Sequence, residues 1–135
     1  MAACGGLELR IAPRGSNAVL TLRNVGPNPL KVFSYVQGNI EQYDWFTILL
    51  AGPAETRTLH LYDDRDASAR IIANLAPGQD LEHVIDVVAW AKRKPNGGRP
   101  LVPGIYRMWA TYEVSEPGPV WNGKLVSAPV SITIP

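Results

Sequence analysis

The stretch Leu101-Val102-Pro103-Gly104-Ile105-Tyr106, continuing as Arg107-Met108-Trp109-Ala110-Thr111-Tyr112-Glu113-Val114, decides how the chain is read. Pro103-Gly104 turns the backbone, because proline fixes its own φ and glycine accepts conformations that other residues avoid. The residues that follow alternate with period two, the pattern of a strand with one buried face. Tyr106, Met108, Ala110, Tyr112 and Val114 are therefore expected inward, and Arg107, Trp109, Thr111 and Glu113 outward. Leu101, Pro103, Gly104 and Tyr106 also have the layout of a tyrosine corner. Leucine fills the end of the core, Pro-Gly turns the chain, and the tyrosine hydroxyl bonds back to the arch backbone. Tyrosine suits the place because a buried ring must keep its polar tip satisfied.

Working outward, the rest of the chain has the same grammar. Leu7, Leu9 and Ile11 alternate with Glu8 and Arg10. Ala18, Leu20 and Leu22 alternate with Val19, Thr21 and Arg23, and Asn24 to Pro29 closes that strand. Leu30 to Val36 is β-branched and aromatic, with Val32 and Phe33 on opposite faces. Trp45 to Leu50 reads as a strand buried on both sides. In Arg57 to Tyr62, Leu59 and Leu61 stand opposite Thr58, His60 and Tyr62. Ala69 to Leu75 is a weaker strand. Leu81 to Trp90 is read as strand because β-branched residues lose side-chain freedom in helices, although a helical stripe over Glu82 to Lys92 competes. On the last strand Val126, Ala128, Val130, Ile132 and Ile134 are expected inward, with Pro129 marking an edge or a bulge. Seven to nine short strands with regular turn signals predict an all-β antiparallel sandwich over residues 7–135, after a flexible segment at residues 1–6.

The chain has 135 residues, of which 46% are hydrophobic and 19% charged, which suits one domain with its own core. Its single cysteine excludes an internal disulfide and a Cys-rich zinc site. A net charge of +1 provides no global field for nucleic acid or acidic membranes. No apolar run reaches the roughly 18–20 residues of a transmembrane helix. Met1-Ala2-Ala3-Cys4-Gly5-Gly6 resembles the cleavage end of a bacterial lipoprotein signal without the hydrophobic segment that should precede it. As written the chain reads as cytoplasmic; if an upstream signal was removed, it is secreted or anchored through Cys4.

Val19-Leu20-Thr21-Leu22-Arg23-Asn24-Val25-Gly26, then Pro29-Leu30-Lys31-Val32, Leu75-Ala76-Pro77-Gly78 and the corner ending in Tyr106, together resemble bacterial immunoglobulin-like accessory domains. Two groups share these features: the β-sandwich preceding the catalytic domain of deuterolysin-type zinc peptidases, and small intracellular proteinase inhibitors. The resemblance implies an immunoglobulin-like sandwich and a non-catalytic role against another protein. It carries over no binding residue, and the His-Glu-x-x-His of the zinc peptidases is absent.

Catalytic patterns fail individually. His60 and His83 have no second histidine at zinc-pair spacing, and neither a Gly-x-Ser-x-Gly elbow nor a phosphate-cradling loop occurs. No cofactor is expected. Asp63, Asp64 and Asp66 place three carboxylates in one loop, where calcium competes with a plain solvated turn opposed by Arg65. Lys92, Arg93, Lys94 and Arg99 form a basic loop fit for an acidic partner or simply for solvent. Trp109 is expected outward, and Trp121 lies in the loop Ser115 to Lys124. Each is either an interface anchor or a core plug. The expected function is a non-enzymatic protein-binding module, for instance a proteinase inhibitor or peptidase accessory domain, using end loops or an edge strand. A carbohydrate-binding module stacking sugars on Trp109, Trp121 and Tyr43 is one alternative. A structural subunit that pairs by its edge strands is another, so a homo-oligomer stays open.

Overall fold

Tyr106, Met108, Ala110, Tyr112 and Val114 are all buried, as the alternation of their strand requires. They belong to a computed structural model that describes residues 3–33, 35–37, 40–42, 45–61, 72–115 and 119–135. In chain order the strands are β1 (Ala3–Cys4), β2 (Leu7–Arg14), β3 (Asn17–Asn24), β4 (Leu30–Phe33), β5 (Tyr35–Gln37), β6 (Ile40–Gln42) and β7 (Phe46–Ala51). They continue with β8 (Thr56–His60), β9 (Ile72–Leu75), β10 (Asp80–Asp86), β11 (Gly104–Val114), β12 (Gly123–Val126) and β13 (Val130–Ile134). One short helix, α1 (Val87–Ala91), and a 3₁₀ turn at Lys94–Asn96 lie between β10 and β11.

Among the described residues every strand pairing is antiparallel. A four-stranded sheet has the order β1-β2-β3-β10; a five-stranded sheet has the order β12-β11-β7-β8, with β13 also on β11. The pairs β4–β9 and β5–β6 stand apart. Leu7, Leu9, Leu20, Leu22 and Ile85 from the first sheet join Phe46, Ile48, Leu50, Leu59, Tyr112 and Ile132 from the second in one buried cluster. The two sheets thus share a single core, and the fold is all-β. No described helix is long and apolar enough to cross a membrane.

Three expectations need correction, two earlier in the chain and one on the last strand. Leu81 to Trp90 is neither all strand nor all helix: β10 runs to Asp86, whose carboxylate then accepts from the Ala89 N–H at 3.1 Å and starts α1. A side-chain oxygen at that place satisfies a helix N–H that no backbone carbonyl reaches, so the β-branched run changes structure at its cap. Trp45 to Leu50 is fully buried on one side only, with Thr47 and Leu49 half-buried on the other. Val32 and Phe33, read onto opposite faces, are both buried, and Phe33 stacks on Trp45 at 5.0 Å with an 11° interplanar angle. In the N-terminal segment Cys4 faces Leu7 in the β1–β2 pair, across a turn in which Gly5 and Gly6 have φ of +57° and +83°.

On the last strand the pairing register with β11 shifts. Thr111 faces Val126, but Met108 faces Val130. Ser127, Ala128 and Pro129 therefore oppose only Trp109 and Ala110, which is a one-residue bulge. An extra residue reverses the inward phase. Val126 and Ala128, expected inward, are exposed, while Ser127 is buried. Ser127 stays tied to β11: its N–H donates to the Ala110 carbonyl at 2.9 Å, and its Oγ accepts from the Ala110 N–H at 2.8 Å.

Candidate functional site

The same alternation that buries Leu59 on β8 also points Arg57 inward, and its side chain is only 6% exposed. A buried guanidinium needs many acceptors. Arg57 finds them in a loop distant in sequence. Its Nη2 donates to the carbonyls of Asn96 at 2.9 Å, Ala91 at 3.2 Å and Arg99 at 3.2 Å. Its Nη1 donates to Glu55 at 3.3 Å and to the Pro100 carbonyl at 3.4 Å. One of these carbonyls, Ala91, ends α1, where backbone acceptors lack intrahelical donors.

Asn96, itself buried, completes the support. Its Nδ2 donates to the carbonyls of His60 and Trp90, both at 3.1 Å, and its Oδ1 accepts from the His60 N–H at 2.8 Å. The side-chain amide serves the edge of β8 as a neighbouring strand's peptide would, and so covers that edge. Gly97, at φ +100°, ends the 3₁₀ turn with its N–H donating to the Lys94 carbonyl at 3.1 Å. The Arg93 guanidinium lies 3.6 Å above the Trp90 ring, an arrangement that orients the cation. The result is a loop with a fixed inner side and four exposed basic residues, Lys92, Arg93, Lys94 and Arg99.

Glu55 links this loop to the turn before β11. Its Oε2 accepts from the Val102 N–H at 2.8 Å and lies 3.2 Å from the Tyr106 hydroxyl. The Tyr106 hydroxyl donates to the Val102 carbonyl at 2.5 Å, and Leu101 is buried beside this turn. The Val102 N–H above all, together with Arg57 and Tyr106, holds the Glu55 carboxyl below the usual carboxylate range, against an opposing effect of burial. Burial, and then the Glu55 charge, push the Tyr106 hydroxyl above its ordinary value.

A carboxyl depressed in the folded chain stabilises it above its unfolded pKa, and that stabilisation is lost as pH falls through the folded value. The melting temperature should therefore drop on acidification below about pH 4.3, the ordinary glutamate value. Glu55→Gln should melt lower than the parent at neutral pH, and the gap should close toward acid. Thermal melts of both proteins from neutral to acid pH check this; a constant gap would contradict it.

The structure separates the two tryptophans. Trp121 is 8% exposed, with its ring 5.6 Å from that of Tyr112 and its backbone N–H donating to the Lys31 carbonyl at 2.8 Å. Trp109 is half-buried on the outward face of β11 and lines a recess of about 300 Å³ with Arg107, Val126, Ser127 and Pro129. Asp63, Asp64, Asp66 and Tyr43 lie outside the described residues. Among the described residues no three His, Cys, Asp or Glu side chains are grouped to hold a metal ion. His60 is exposed on β8, and His83 is buried on β10 with its ring edge-on to Phe46 at 5.8 Å. Comparisons with protein-family models, with curated proteins and with solved structures find no match.

Arg57, Asn96 and Glu55 are absent from the sequence-based candidates. The phase of β8 carried the signal for Arg57, since it shares a face with Leu59. Its charge masked that signal. Nothing local marks Asn96 or Glu55: the bonds that tie them to other elements, to His60 and to Val102, reach 36 and 47 residues along the chain.

Proposed function

We propose that the chain is a non-enzymatic protein-binding module with an immunoglobulin-like sandwich fold, and that its basic loop docks on an acidic surface of the partner. The observation that carries this reading is the buried Arg57–Asn96 support beneath Lys92, Arg93, Lys94 and Arg99. A loop held in one conformation loses little entropy on binding. Exposed like charges on it steer an oppositely charged partner. The bond from the Tyr106 hydroxyl to the Val102 carbonyl supports a tyrosine corner at this end. A peptidase with an acidic cleft is the concrete partner; the module then acts as an inhibitor or an accessory domain. The loop is a compact turn, so it fits such a cleft as a preformed basic knob.

The test is residual activity across a panel of peptidases at low and high salt. Inhibition of at least one enzyme is expected, weakening as salt rises. The combined variant Lys92→Glu, Arg93→Glu, Lys94→Glu should abolish it while leaving the melting temperature within about 3 °C, since exposed charges contribute little to stability. Inhibition that survives this variant would remove the loop from the mechanism.

A further inference from the structure

The two main sheets turn different chemistry outward. On the β2–β3–β10 face, charges are frequent and paired: Arg10 with Glu8, Arg14 with Glu82 at 3.4 Å, and Arg23 with Asp80 at 3.7 Å. The outward positions of β7, β8 and the middle of β11 are largely threonines around Leu49 and Trp109. Trp109 and Leu49 are cross-strand partners, as are Thr111 and the exposed Val126. Ile105, at the start of β11, is 65% exposed. Scattered surface apolar residues mean little, but a contiguous, charge-poor patch around a tryptophan has the composition of an interface centre.

We propose that this face joins two copies of the chain, stacked face to face with β11 antiparallel to β11 of the other copy. Placement of charge argues for a second copy as the occupant. β11 carries two outward charges, Arg107 and Glu113, placed symmetrically about Ala110. A two-fold axis lying across the strands at Ala110 puts Arg107 of each copy over Glu113 of the other, and Trp109 over Thr111. A two-fold axis along the strand puts Arg107 over Arg107 and Glu113 over Glu113. The charges therefore select the antiparallel stack and disfavour the parallel one. They lie about 20 Å apart along the strand, so the two ion pairs flank the tryptophans. Lys124, the cross-strand partner of Glu113, offsets part of that carboxylate's charge at the same corner. The ion pairs consequently set register more than they add affinity.

The sheet is four strands wide, since β12 and β13 follow one another along the same side of β11. Four strands spaced about 4.8 Å apart, over about seven residues of β11, present roughly 450 Å² per copy. That is below the size of stable interfaces and predicts a weak, reversible dimer with a Kd of about 100 μM. Sedimentation equilibrium of the full chain, from about 1 to about 500 μM, tests it. Arg107→Glu or Glu113→Arg alone should weaken the dimer about tenfold, because each turns two attractions into two repulsions. The two changes combined should recover most of the loss. Trp109→Ser should leave a folded monomer that melts within about 5 °C of the monomeric parent. A monomeric parent over the whole range overturns the proposal, as do charge reversals without effect or a combined variant without recovery. Glycan binding by a monomeric parent, lost in Trp109→Ala, would give the face to a sugar instead.

Discussion

Replacing Arg57 by Met is expected to lower stability by about 3–5 kcal/mol, which corresponds to roughly 10–20 °C in melting temperature for a domain of this size. Methionine fills much of the same volume, so the loss comes from groups left without a donor. The carbonyls of Ala91, Asn96 and Arg99 lose their shortest bonds to this side chain, and Glu55 Oε1 loses its buried partner. Each buried group so orphaned costs about 1–3 kcal/mol before local relaxation and water entry recover part of it. Arg57→Lys retains the charge but not the planar fork. One ammonium cannot reach acceptors spread over four loop residues, so this variant should recover only part of the loss. Thermal melts give the magnitude. Amide hydrogen exchange should show the loosening concentrated at residues 91–100 in the Met variant. A loss below about 1 kcal/mol, or exchange spread evenly over the sheets, would mean that Arg57 does not hold the loop.

Much of the fold was legible because it depends on local alternation. The five inward residues of β11 follow from period two, and both ends of that strand are marked by residue type, Gly104 at the start and the Ser115 break after Val114. The alternation fails where one residue changes the phase. Nothing in Val126-Ser127-Ala128-Pro129 announces that Ser127 will pair with Ala110 while Ala128 and Pro129 step out. Proline signalled a disturbance but not that the faces of Val126 to Ala128 before it are reversed, while Ile132 and Ile134 beyond it stay inward. The basic loop was visible as charge, whereas its support was not. Arg57 looks like a solvent-facing residue until long-range packing brings five acceptors around it. The N-cap at Asp86 was also missed, because a strand-like run and a helix start share the same Val-rich sequence.

Trp121→Ala is expected to cost about 3–5 kcal/mol, the range for truncating a large buried aromatic residue. The indole closes one end of the core. It tilts against Tyr112 at 31°, and Tyr112 in turn donates its hydroxyl to the Phe33 carbonyl at 2.8 Å. Burial pushes that hydroxyl far above its ordinary pKa, consistent with a site closed to water. The surroundings are fitted to the ring: a Cβ at Gly123 would sit 3.1 Å from its edge, and one at Gly5 3.0 Å from its Nε1. Because the β1–β2 turn at Gly5 and β12 at Gly123 both approach this ring, the cavity left by alanine cannot collapse without moving backbone, and relaxation should recover little. Trp109→Ala provides the contrast. Trp109 is already half-exposed on the sheet face, so its truncation should cost the monomer about 1 kcal/mol or less. Melting the two variants at a concentration too low for self-association separates the roles. A large drop for Trp121 and a small one for Trp109 assign the first to the core and leave the second available for contact. Equal drops would place both rings in the core and remove the sheet face as a docking surface.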